Sequence, residues 1–243
     1  MRVSFRPLIA LTLLCAILFA VLLALGTWQL QRLIWKQSLI AEVNLNMASA
    51  PLALDQALAM GARAQYRRVR LEGRFDNSNE AFVFGTGVEG APVFHVLVPF
   101  TTDDGRTLLV DRGIVPRDLR DRSTRRNGLI EGRAVIVGIW RAPDPPGPFT
   151  PGPDRSRRIW YSRDVSGIAR QDGVRLAANE IIEADSTPNR GGWPKGGQTQ
   201  VNFRNEHLQY AITWFLLAAG LLGVYLAYHV SRGRLIFSRG SRM

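Results

Sequence analysis

Cysteine is almost missing. The 243 residues contain one, Cys15, inside an apolar run near the N-terminus. A lone thiol there rules out an internal disulfide and any C-x-x-C redox or copper motif. Histidine is scarce as well: His95, His207 and His229 are far apart and match no zinc-ligand spacing. The chain lacks a G-x-S-x-G elbow and a P-loop. Gly85-x-Gly87-x-x-Gly90 has the dinucleotide spacing, but it falls between two strand patterns and reads as a hairpin turn. No catalytic constellation emerges, and the expectation is a protein that is not an enzyme.

Acidic residues are missing from both ends. All 20 Asp and Glu lie within residues 29–207, whereas the tails carry Arg2 and Arg6, and Arg232, Arg234, Arg239 and Arg242. Positive charge on the cytoplasmic side of a membrane predicts both termini in the cytoplasm. Part of the formal net charge of +11 is therefore a topology signal. The excess in the middle is scattered, not gathered into one basic run, which argues against nucleic acid as a partner.

Long apolar runs are present, and there are two. Residues 8–28 and 208–228 are each 21 residues without a charge. At about 1.5 Å per residue each can cross a hydrocarbon core of roughly 30 Å. The first run exceeds a signal-peptide core and has no clear small-x-small cleavage site, so it reads as a retained anchor. No transit segment precedes it, which points to a bacterial inner (plasma) membrane. The expected plan is a tail (1–7), transmembrane helix 1 (8–28), a periplasmic domain (29–207), transmembrane helix 2 (208–228) and a second tail (229–243), set in the lipid bilayer. Ala16, Ala20 and Ala24, continued by Trp28 and Arg32, recur every four residues and offer a face for close helix approach. Ala211, Ala218, Ala219, Gly220 and Gly223 are the matching small positions in the second run.

The middle reads mainly as strands. Val69, Leu71 and Phe75 alternate with charged residues, the period of a half-buried strand. Further strands are expected at 81–84, 93–100, 107–111, 134–140 and 176–184, with short helices at 52–60 and 162–171. Pro51 ends the helix that continues from the first span to about Ile40. Short turns between successive strands imply an antiparallel meander. The fold class is thus a membrane protein of α+β type: two terminal helices flank one antiparallel β-rich domain, a curled sheet or partly open barrel with a few helices. Six prolines between Ala142 and Pro153 mark a loop.

His207 stands at the outer mouth of the second span, with Tyr210, Ala211 and Trp214 on one helical face. Haem needs an axial imidazole, an apolar slot and cations for its propionates. His207, the walls Trp28, Tyr210 and Trp214, and the cations Arg32 and Arg204 supply that set. The aromatic residues also suit a headgroup belt, and the histidine could simply donate to an interfacial carbonyl. His95, on the face of its strand shared with Val93 and Leu97, reads as structural, and His229 as an interface residue at the inner end.

Several short motifs occur in order: Gly26-Thr27-Trp28-Gln29 with Arg32, Trp35 and Lys36; Tyr66 with Val69, Gly73 and Phe75; Gly90-Ala91-Pro92 with His95; Val110 with Arg112, Gly113, Val115 and Pro116; Trp160-Tyr161 with Asp164; and Asn205, His207-Leu208, Tyr210-Ala211 and Thr213-Trp214. With these the chain resembles the Surfeit locus protein 1 family, assembly factors for haem-copper cytochrome c oxidase. Ile114, where the family has Trp more often, and Val93-Phe94, in place of Gly-Tyr, depart from its pattern. The resemblance implies a respiratory-chain chaperone that binds haem a transiently, with His207 as axial ligand. It also implies cytochrome c oxidase subunit I as partner, with haem A synthase as a further partner and the haem donor left open. The alternative is a haem-free membrane scaffold that stabilises nascent subunit I.

Overall fold

The computed structural model describes residues 2–87, 90–199 and 205–238. The chain divides into two compact units, Met1–Glu42 with Asn202–Met243, and Val43–Val201.

In the first unit the two apolar runs are helices, α1 (Ile9–Ala48) and α4 (His207–Ser231), both long and apolar enough to cross a membrane. Only 6% and 11% of their most apolar windows are buried, so neither is the core helix of a water-soluble fold. Leu13, Ile17, Val21, Leu216, Leu217 and Val224 stand exposed, which suits a pair whose solvent is hydrocarbon. At 40 residues α1 is about 60 Å long, roughly twice a hydrocarbon core, and it runs on past Ile40 to Ala48 before Pro51. The tails, for which the sequence suggested no structure, form a two-stranded antiparallel ribbon of β1 (Arg2–Phe5) and β9 (Leu235–Ser238), with Phe5 opposite Leu235.

The expected alanine stripe is not the contact face. Ala16, Ala20, Ala24, Trp28 and Arg32 are all exposed, whereas Cys15, Phe19, Leu22, Gly26, Gln29 and Leu33 are among the shielded positions. On α4 these are His207, Ala211, Trp214, Ala218, Leu221 and Tyr225, while Ala219, Gly220 and Gly223 face outward. Both shielded rows alternate steps of four and three, the 3.5-residue seam of coiled-coil-like packing. A strict four-residue row gains about 40° per step on a 3.6-residue helix and winds off the partner. The Phe215 ring packs against the backbone of Gly26: a Cβ there would lie 2.7 Å from it. Thr12 and Tyr225 hydroxyls share a 2.7 Å hydrogen bond nearer the other end.

The second unit is built on a closed five-stranded barrel. Its ring runs β2 (Arg68–Phe75), β6 (Arg133–Arg141), β8 (Ile181–Ala184), β5 (Thr107–Pro116), β4 (Pro92–Thr102) and back to β2. Outside the ring, β3 (Ala81–Thr86) pairs with β4 and β7 (Ile159–Trp160) with β3. The interior is packed with Val69, Leu71, Phe100, Leu108, Val110, Trp140 and Ile182, all at 1% exposure or less. Each such side chain gains roughly 1.5–3 kcal/mol over leaving it in water. α2 (Leu54–Met60) adds Leu54 and Ala57 to this core, and Gly61 ends it. α3 (Val165–Asp172) covers a second cluster with Val165 and Ile168. The Asp164 carboxylate caps it by accepting from the Gly167 amide at 2.9 Å.

Two sequence expectations change. Of residues 176–184 only the last four are strand, and the sheet is not a simple meander, because β5–β8 and β3–β7 are parallel pairs. β7 is two residues long and too short for a periodic signal. A bulge interrupts β5: Leu97 pairs with Asp111 but His95 with Ile114, so β5 carries one extra residue. Gly113 sits in it at φ 108°, and a Cβ there would be 1.9 Å from the Lys195 carbonyl oxygen. The bulge sets how Asp111 and Arg112 are presented.

Candidate functional site

His207 is the first residue of α4, and its Nδ1 lies 2.7 Å from Oε1 of Gln29 on α1. The amide oxygen can only accept, so Nδ1 carries the proton and donates. In the neutral ring Nε2 then keeps its lone pair, with no protein hydrogen-bond partner among the described residues. The histidine does donate to a carbonyl, that of a side-chain amide on the neighbouring helix. An outer-shell acceptor of this kind fixes both tautomer and ring orientation of a metal-ligating imidazole. Gly26 lies one turn before Gln29 on the same seam and allows the close packing that precedes the bond.

The other expected site residues stand around this pair. Trp28 and Tyr210 are each 51% exposed, and Trp214 is half-buried on the seam. Among the described residues no ring contact or hydrogen bond joins any of them to His207. The Arg32 guanidinium lies 4.3 Å from the centroid of Trp35, one turn further along α1. Arg204 lies outside the described residues. Gln29, part of the quoted Gly26–Gln29 motif, was not assigned a role by sequence reasoning; its seven-residue distance from Leu22 on the seam is the signal that could have found it.

His229, at the opposite end of α4, is fully buried. Its Nδ1 donates to the Tyr225 carbonyl at 2.9 Å, and the rings of Phe5, Tyr225 and Tyr228 surround it. It packs as a buried residue between α4 and the tail ribbon.

In the barrel unit His95 is tied down. Its Nδ1 is 2.8 Å from Oδ2 of Asp111, a carboxylate only 3% exposed, whose Oδ1 accepts from the Gly113 amide at 2.9 Å. Arg163 lies 3.8 Å from Asp111 and 3.2 Å from Glu183, which also accepts from Thr199 at 2.6 Å. Burial pushes the Asp111 carboxyl up; the charge and hydrogen bond of His95, with Arg163, outweigh this and hold it below the usual range. Every oxygen of this cluster is engaged by a cation or a donor, the arrangement of a structural network. Among the described residues no group of three or more His, Cys, Asp or Glu could hold a metal ion directly.

A family model described as the SURF1 family matches residues 16–219. Surfeit locus protein 1 of Rattus norvegicus is 35% identical over 226 residues, covering 86% of this chain and 72% of the rat protein. The Homo sapiens protein of that name is 37% identical over 211 residues, covering 80% and 69%. That of Takifugu rubripes is 33% identical over 227 residues, covering 86% and 92%. The match takes in the whole barrel unit, the greater part of the apolar stretch of α1 with Gln29, and the N-terminal half of α4 with His207, and on this ground the chain belongs to the SURF1 family.

Proposed function

We propose that this protein is an assembly factor for a haem-copper cytochrome c oxidase, and that it binds haem a at His207 for delivery into, or stabilisation in, subunit I. The observation that carries the reading is the His207–Gln29 hydrogen bond, which leaves Nε2 as the free lone pair at the head of an apolar helix pair. Bound haem would supply an iron that accepts an imidazole nitrogen and two propionates that seek cations. His207 would hold it through Nε2. Trp28, Tyr210 and Trp214 supply apolar surface on either side of the seam. Arg32 is stacked on Trp35, and its N–H edge suits a carboxylate; Arg204 is the second cation in this reading. The role is non-catalytic: the chain holds, shields and hands over a cofactor made elsewhere, with haem A synthase as donor. The apolar helix pair and the arginine-bearing, acid-free tails support a bacterial inner-membrane protein with both termini cytoplasmic and the barrel unit periplasmic.

The test is the visible spectrum of detergent-purified protein co-expressed with the haem A biosynthetic enzymes, wild type beside His207→Ala. A haem a band in the wild type that is lost in the variant is the expected result. Equal bands in both overturn the ligand assignment. No band in either, together with stable capture of subunit I, replaces this reading with a haem-free scaffold.

A further inference from the structure

Arg112 is the anomaly of the barrel unit. It is two residues on from Val110 of the core row, beside the bulge glycine, and is 2% exposed. Its Nη2 donates to the Gly128 carbonyl at 2.7 Å and to Asn189 Oδ1 at 3.1 Å, and its guanidinium lies 4.9 Å from the Phe75 ring. Its Nη1 is buried without a hydrogen-bond partner. Among the described residues it forms no ion pair with a carboxylate. Glu80, the acid whose charge it feels, is gripped by Arg125 through two hydrogen bonds at 3.1 and 2.5 Å. Two buried guanidiniums therefore share one carboxylate, and the excess positive charge rests at Arg112. Burial pushes its pKa down to about 10, which leaves it charged at neutral pH.

The uncompensated group borders a space. A cavity of about 150 Å³ opens at this end of the barrel, with Phe75, Arg112, Ile136 and Ala184 among its strand residues and Ile130 and Pro188 from the loops. Asp185, also on its lining, is paired with Arg68 at 3.6 Å. The volume is many times the ~15 Å³ that one water requires. The walls are mixed: Phe75, Ile130, Ile136 and Pro188 are apolar, and Asp185, Thr187 and Asn189 are polar. A buried cation with no ion-paired carboxylate among the described residues, beside a chamber whose wall is partly apolar, is complementary to a single anionic head on a short apolar body.

We propose that the barrel mouth is a binding site for one carboxylate carried on a short apolar chain, held by the charge of the Arg112 guanidinium. A free short-chain acid and the C-terminal carboxylate of a peptide present the same chemistry.

The full-length protein in detergent would be titrated by ligand-observed NMR with butyrate and with butyramide at matched ionic strength. Butyrate should bind at least roughly tenfold tighter, the worth of a hydrogen bond to a charged group. Arg112→Met should abolish the difference. Because that variant also loses two buried hydrogen bonds, Val135→Trp, at an exposed lining position, offers a second test by obstructing the mouth with Arg112 intact. It should weaken butyrate by a similar factor. A short peptide with a free C-terminus, compared with its amide, separates the sources: preference for the free-acid peptide over butyrate assigns a chain terminus, and the reverse assigns a free acid. Equal binding of butyrate and butyramide, no binding of either, or an unchanged response in Val135→Trp overturns the proposal.

Discussion

His207 Nδ1 is 2.7 Å from Gln29 Oε1, so the head of one apolar helix is bonded to the seam of the other across 178 residues of sequence. In the neutral imidazole the amide selects the Nδ1–H tautomer. On the proposed haem reading, Gln29→Leu should keep the ligand but lose its orientation, and lower haem affinity by roughly 10–100-fold. His207→Ala should remove it. Haem titration of the two purified variants checks this; an unaltered Gln29→Leu affinity would detach the amide from the site.

Gly26 leaves room for the Phe215 ring. Gly26→Leu places a side chain where the Phe215 ring stands, 2.7 Å from the Cβ position, and should destabilise the pair by about 1–3 kcal/mol. Phe215→Ala in the same chain should restore much of that loss, because it vacates the volume. Thermal unfolding in one detergent, read for both single variants and the double variant, gives the coupling.

The Glu80–Arg125 pair is buried at 4% and 2% side-chain exposure. Glu80→Gln should cost about 3–5 kcal/mol, since it leaves Arg125 charged and unpaired beside Arg112. Replacing both partners, Glu80→Leu with Arg125→Leu, should be much milder than the single change. Denaturant titrations of the three proteins would show it, and a double variant as unstable as Glu80→Gln would contradict the charge explanation.

Acid should loosen the barrel through Asp111. Its folded-state pKa is held below the ordinary value, with burial opposing and His95 and Arg163 prevailing. A depressed carboxylate contributes stability that is fully present above its unfolded pKa, about 3.9, and is lost as pH falls through the lower folded value. The wild type should therefore lose more stability than Asp111→Asn between about pH 5 and pH 3. Parallel slopes for the two proteins would show that Asp111 does not drive the loss.

The sequence by itself determined the two spans, because an uncharged run of 21 residues has few fates other than a membrane helix. It also determined most strands of the barrel. Alternation in β2 is a local property, and Asp164 and Gly173 mark the ends of α3 by local capping chemistry. Closure was not local: pairing β2 with β4, and laying β8 parallel to β5, depends on long-range contacts that no periodicity encodes. The helix seam illustrates the same limit. Ala16, Ala20 and Ala24 are conspicuous as letters, yet a four-residue row rotates away from a partner that a 3.5-residue row follows. So Gln29, a motif residue with no role legible in the sequence, meets His207, while Trp28 beside it faces outward half exposed. Arg112 was visible only as part of a motif. That its charge borders a cavity and has no ion-paired carboxylate among the described residues follows from burial and from Glu80 being held by Arg125, which only the tertiary structure decides.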